Sequence, residues 1–118
     1  MHVTLVDTSV WVQHLRHGSN ELRRLLDDGE VLCHPFVVGE IACGNIRNRD
    51  EVINLLQSLP EVLVAEHDEV MQFLHDNKLS GSGLGWIDLH LLASASLSRA
   101  GLWTMDRALQ RAVEETIR

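Results

Sequence analysis

Apolar residues along this chain follow two rhythms. Short continuous runs such as VTLV before Asp7, VLC after Glu30, VLVA after Glu61 and LW before Thr104 have the length of strands buried on both faces. Between them, apolar positions recur every three or four residues. In NELRRLLDDG, for example, Leu22, Leu25 and Leu26 fall on one helical face. This alternation predicts an α/β protein with a parallel sheet. Strands are expected at VTLVD, EVLCH, EVLVAE and LWTMD. Helices are expected at SVWVQHLRHG, NELRRLLDDG, PFVVGEIACG, RDEVINLLQSL, HDEVMQFLHDNKL, WIDLHLLASASLSRAG and RALQRAVEET.

The punctuation agrees with those boundaries. Gly18 stops the first helix, Pro35 suits a first helical position, and Pro60 closes the fourth. Gly101 sits where a C-terminal cap belongs. SGSGLG, ahead of Trp86, is the loosest stretch, a turn or a mobile rim. No repeat, linker or low-complexity tract divides the sequence, so residues 1–118 are expected to form one domain.

Composition narrows the class. A chain of 118 residues can bury a core without disulfides or structural metal. The apolar run VTLV is far too short for a signal peptide, and no window approaches the roughly 20 apolar residues of a membrane span. A soluble, cytoplasmic protein with no membrane contact is expected. Cys33 and Cys43 are then read as buried, reduced thiols rather than a disulfide. His14 and His17 lack a second ligand pair and belong on a solvated face.

Formal charge is −7, from 17 acidic and 10 basic residues, which argues against a simple nucleic-acid-binding module. That objection weakens if carboxylates gather around cations. Asp7 and Asp106 each end an expected strand with a helix to follow, the edge of a parallel sheet where ligands collect. Each alone is better read as the N-cap of its next helix. Glu40 is harder to account for. With Phe36, Val37 and Cys43 three or four residues away, it is expected on an apolar face, needing a cation or an ion pair with Arg47 or Arg49. Asp88 shares its face with Leu91, Leu92 and Ala95, where either a cation or a helix N-terminus would steady it. Four carboxylates crowded together would repel unless hard divalent ions joined them. Mg²⁺ with Mn²⁺ as a substitute suits such oxygen ligands, and such ions promote phosphodiester hydrolysis. The pieces fit a metal-dependent nuclease.

VDTSVW, HPFVVGEIACG, GLGWIDLHLLASA and LWTMDRAL, in that order and spacing, resemble the PIN-domain ribonucleases, specifically VapC-type toxins of bacterial toxin–antitoxin pairs. The resemblance runs from Leu5 to about Val113. It implies a three-layer α/β/α domain around a parallel sheet of four to five strands. It also implies that Asp7, Glu40, Asp88 and Asp106 coordinate Mg²⁺ or Mn²⁺ and activate a water for RNA cleavage. Thr104 matches the hydroxyl the family often places two before its last acid, and Ser9 is a weaker match for a supporting hydroxyl. The family further implies homodimers, a small antitoxin partner and structured RNA substrates. Two departures stand out. Arg107 directly follows Asp106, where many relatives carry another acid or polar residue, and VEETIR is a poor fifth strand.

Arg107 is the preferred phosphate contact among the arginines because it adjoins Asp106. Trp11, Trp86 and Trp103, each near a proposed site acid, suit core packing first and base stacking second. With no Ser–His or Cys–His pairing evident, water is the expected nucleophile. One rival is a catalytically weak PIN fold serving as a protein-interaction module. The other, a phospho-acceptor receiver-like domain, expects a late strand-end lysine, whereas the sole lysine is Lys78.

Overall fold

The structure, a computed structural model, describes residues 2–117. Three strands form its sheet: β1 (Thr4–Val6), β2 (Val31–Leu32) and β3 (Gly101–Trp103). All pairings are parallel and the order is β2-β1-β3, with Leu5 opposite both Leu32 and Leu102. Leu5 and Val6 point to opposite faces of the sheet, yet both are fully buried, so helices cover it on both sides.

The helices are α1 (Thr8–His17), α2 (Asn20–Asp27), α3 (Pro35–Cys43), α4 (Arg49–Ser58), α5 (His67–Asp76), α6 (Trp86–Leu97) and α7 (Arg107–Thr116). α6 packs on β1 and β3 and is flanked by α5 and α7, while α1, α3 and α4 pack in series. Leu89 to Ala95 are all buried, as befits a helix that is apolar nearly all round. None of the described helices is long and apolar enough to cross a membrane.

Two local expectations are corrected. EVLVAE does not form a full strand. It touches the sheet through one parallel bridge, Cys33 with Glu61, on the free side of β2. Beyond it, the N–H groups of Leu63 and Ala65 turn to the hydroxyls of Ser98, which caps α6, and Ser94 within it, at 2.8 and 3.0 Å. The segment's donors are therefore satisfied by a helix rather than by a ladder, and the described sheet has three strands instead of four or five. The cap of α6 is also displaced. Arg99, not Gly101, takes the left-handed conformation (φ 53°), and Ala100 N–H bonds Ala95 O at 2.9 Å to close the helix. Gly101 opens β3 instead.

The cysteine expectation holds in part. Both thiols are free, but Cys43 is exposed and only Cys33 is buried. Burial raises the Cys33 thiol to about 11, so it stays protonated at neutral pH.

Candidate active site

β1 and β3 end side by side, and three helices begin there. Asp7 leaves β1 with its N–H still bonded to Trp103 O at 2.9 Å, so the ladder runs directly into the site. Its carboxylate is 7 % exposed and takes three hydrogen bonds. Oδ1 accepts from Thr8 N at 2.8 Å, while Oδ2 accepts from Ser9 Oγ at 2.8 Å and Thr104 Oγ1 at 2.7 Å.

Those hydroxyls are held in turn by the chain leaving β3. Met105 N donates to Ser9 Oγ at 3.0 Å and Asp106 N donates to Thr104 Oγ1 at 3.1 Å. Each hydroxyl has one hydrogen, and both are committed to Asp7 Oδ2. The 3.4 Å approach between Ser9 Oγ and Thr104 Oγ1 is therefore a contact between acceptors, not a further bond. Both lone-pair positions of Oδ2 are filled, and Oδ1 keeps one.

Asp106 caps α7, its Oδ1 accepting from Leu109 N at 3.0 Å. Asp88 lies in the first turn of α6, where its Oδ2 reaches back to Gly85 N at 3.1 Å. The cap reading of the strand-end acids is thus correct for Asp7 and Asp106, and it leaves one oxygen of Asp106 and one of Asp88 without a protein donor among the described residues. The N-termini of α1, α6 and α7 all bring partial positive charge to this corner.

Asp88 records how crowded the corner is. Burial pushes its carboxyl above the ordinary value of 3.8; the Gly85 N–H pulls it down, and the charges of Asp7 and Asp106 raise it further. No cation answers them: the ion pair found among the described residues joins Arg49 to Asp50, at 3.9 Å.

Glu40 is placed differently from expectation. It lies on the exposed side of α3, not on an apolar inward face, because Val37 and Ile41 supply the buried positions. Neither Arg47 nor Arg49 pairs with it; Arg49 donates instead to Ala42 O. Its Oε1 accepts from Thr8 Oγ1 at 2.7 Å, which ties α3 to the first residue of α1. Thr8 is the residue that sequence reasoning passed over, although the signal stood in DTS, where two hydroxyls follow Asp7. Arg107 is exposed at the start of α7, with no hydrogen-bond or ion-pair partner among the described residues. Of the tryptophans, Trp11 is buried, Trp103 half-buried and Trp86 exposed at the rim.

These donors fit a hard divalent cation in kind: they are carboxylate oxygens, mutually repelling and uncompensated. In number they are incomplete, since among the described residues no three acidic, histidine or cysteine side chains stand close enough to enclose an ion. Water and substrate oxygens would have to fill the remaining positions, as is usual for Mg²⁺.

Comparison with known proteins gives the chain's family. The family described as PIN domain matches residues 4–115, a span that contains all four acids. Two curated relatives from Mycobacterium tuberculosis, strains CDC 1551 / Oshkosh and ATCC 25618 / H37Rv, are both named Ribonuclease VapC32. Each is 46% identical over 113 residues, which is 95% of this chain and 91% of the relative. The chain belongs to the PIN-domain family, in its VapC ribonuclease branch.

Proposed function

We propose that residues 1–118 act as one divalent-metal-dependent endoribonuclease unit, the toxin of a toxin–antitoxin pair. Mg²⁺ is the proposed ion, with Mn²⁺ as a substitute. The observation that carries this reading is that Asp7 and Asp106 press their charge on Asp88 at the carboxyl end of a parallel sheet, with no cation paired to them among the described residues. Kinship with the VapC32 ribonucleases supports RNA as the substrate.

In this reading Asp7, Asp88, Asp106 and Glu40 hold the ion through their free oxygens. An ion held there would supply Lewis acidity toward a phosphodiester and a more acidic water. Ser9 and Thr104 fix Asp7 so that its remaining Oδ1 position faces one way, which preorganises the site. Thr8 sets Glu40 at the entrance. Arg107, free and adjacent to Asp106, meets a substrate phosphate. A small antitoxin would silence the site by covering these acids, and a cytoplasmic homodimer is the proposed working form.

The test is cleavage of total cellular RNA by the purified, partner-free chain with Mg²⁺, with Mn²⁺ and with EDTA, beside Asp7→Asn. Discrete fragments that require metal and disappear in the variant are expected. A folded chain that cuts nothing under any metal condition would overturn the reading in favour of an interaction module.

A further inference from the structure

Aromatic rings run in file across three helices beside the acids. His67 at the start of α5 lies 5.2 Å from Trp86, and Trp86 lies 4.7 Å from His90, edge to face. His90 is 4.7 Å from Phe36, which opens onto the wholly buried His34 at 5.0 Å. The two largest rings of the file, Phe36 and Trp86, are each 38% exposed. Between them His90 is 7 % exposed, and its Nδ1 has no hydrogen-bond partner among the described residues.

The file is tied to the acids at both rims. Phe36 stands one helical turn before Glu40 on the exposed side of α3. Trp86 opens the turn of α6 in which Asp88 folds back onto Gly85. Packing alone explains why the rings touch one another. It does not explain why the two largest rings of the file face solvent beside the acids. A flat ring laid on them would cover that apolar surface.

Charge points the same way. With 17 acidic and 10 basic residues, this chain has little to gain from phosphate contacts and counterion release. Stacking on aromatic rings is insensitive to that deficit and open to any unpaired base.

We propose that Phe36 and Trp86, with His90 between them, form a stacking platform for unpaired bases of the RNA strand that is cut. The proposal rests on the ribonuclease reading above and adds to it the side chains that seat the bases; bases within a duplex are already stacked on one another, so the platform takes unpaired ones. The platform sits beside Glu40 and Asp88, so it holds nucleotides flanking the scissile bond.

The experiment uses a short single-stranded RNA, its duplex, and an abasic ribose-phosphate chain of equal length. Binding is read in an Asp7→Asn background from the part of the tryptophan emission that Trp86→Phe removes. Base-bearing single strands are expected to quench it, and the abasic chain and duplex are not. With Asp7 intact, Phe36→Leu and Trp86→Leu should each raise KM by roughly tenfold or more, as loss of a stacked base requires. The ring-retaining Phe36→Tyr and Trp86→Phe should raise KM less than the Leu variants do, and they remain informative if a Leu variant misfolds.

Equal affinity for abasic and base-bearing chains would overturn the platform. So would Leu variants that lower kcat alone, because the rings would then serve only to space Glu40 from Asp88. Quenching by a protein partner but not by RNA would overturn it as well. The two readings fail separately: base-dependent quenching without metal-dependent cleavage refutes the nuclease alone, and cleavage without base dependence refutes the platform alone.

Discussion

The Thr104 hydroxyl donates to Asp7 Oδ2 at 2.7 Å, joining residues 97 positions apart in sequence. This bond, buried with its partners, couples the ends of β1 and β3 and aims the most enclosed carboxylate of the site. Thr104→Val keeps the shape but removes the donor to Asp7 and the acceptor for Asp106 N–H. A hydrogen bond to a charged group is worth about 1.5–3 kcal/mol, so denaturant titration should show a loss of about 2 kcal/mol. Activity should fall roughly ten- to a hundredfold, as for other groups that orient metal ligands. Thr104→Ser should restore most of both; a Val variant with full activity would remove Thr104 from the positioning role.

Thr8 acts on Glu40 through a hydrogen bond that lies at the surface, which separates its effect on stability from its effect on activity. Thr8→Val breaks the 2.7 Å bond to Glu40 Oε1 but leaves the backbone N–H that Asp7 accepts. Surface changes of this kind fall within about 0.5 kcal/mol, so the melting temperature should hardly move. Metal-dependent turnover should nevertheless fall several-fold as Glu40 loses its anchor, and Thr8→Ser should recover it. Loss of stability in step with loss of activity would instead assign Thr8 a purely structural part.

Asp88 should cost the metal-free protein stability. Its carboxyl is raised above 3.8, first by burial and then by Asp7 and Asp106, so the folded state holds its proton to higher pH than the unfolded state does. Stability therefore falls as pH rises through the interval above 3.8, and at neutral pH the full penalty is present. Asp88→Asn removes the charge and keeps an oxygen for Gly85 N–H. The metal-free variant should melt at higher temperature than the parent, while the stabilisation that Mg²⁺ or Mn²⁺ adds should shrink. A lower metal-free melting temperature would contradict the repulsion on which the site reading depends.

Much of the fold was legible because local signals agreed with one another. Pro35 at the start of α3 and the apolar run of α6 each pointed to the element that forms. The missed strand has a physical origin in side chains from a distant element. EVLVAE reads as a strand by composition, and nothing local says that Ser94 and Ser98 will take its N–H groups. Glu40 looked inward because its neighbours are apolar, but Phe36 and Cys43 are exposed alongside it. Asp7 and Asp106 could be found by their placement at strand ends, whereas the hydroxyls that fix Asp7 could be ranked only once Thr104 and Asp7 were seen to meet. Ser94 tests this account. It is fully buried, and Ser94→Ala leaves Ala65 N–H without its 3.0 Å acceptor, so a loss of about 1–3 kcal/mol is expected. An unchanged stability would mean that the segment has another partner for that donor.

His34 gives the fold an acid limit. Its Nδ1 accepts from Phe36 N at 2.9 Å and caps α3, so in the neutral ring the hydrogen sits on Nε2, which is buried without a partner. Burial, helped by the neighbouring His90, pushes its pKa down to about 4 from an ordinary 6.5. Between those values the unfolded chain takes up a proton that the folded chain refuses. The contribution to stability is complete above pH 6.5 and is lost progressively as pH falls toward about 4. A charged His34 would also have to give up Nδ1 as the acceptor that caps α3. The loss across this window should be on the order of 2 kcal/mol, below the full value for such a shift because local opening admits water. His34→Asn keeps a capping oxygen but has nothing to titrate. Urea titrations from neutral to mildly acid pH should show the parent weakening and the Asn variant holding its stability over the same range. Parallel pH profiles for the two proteins would transfer the acid limit to another group.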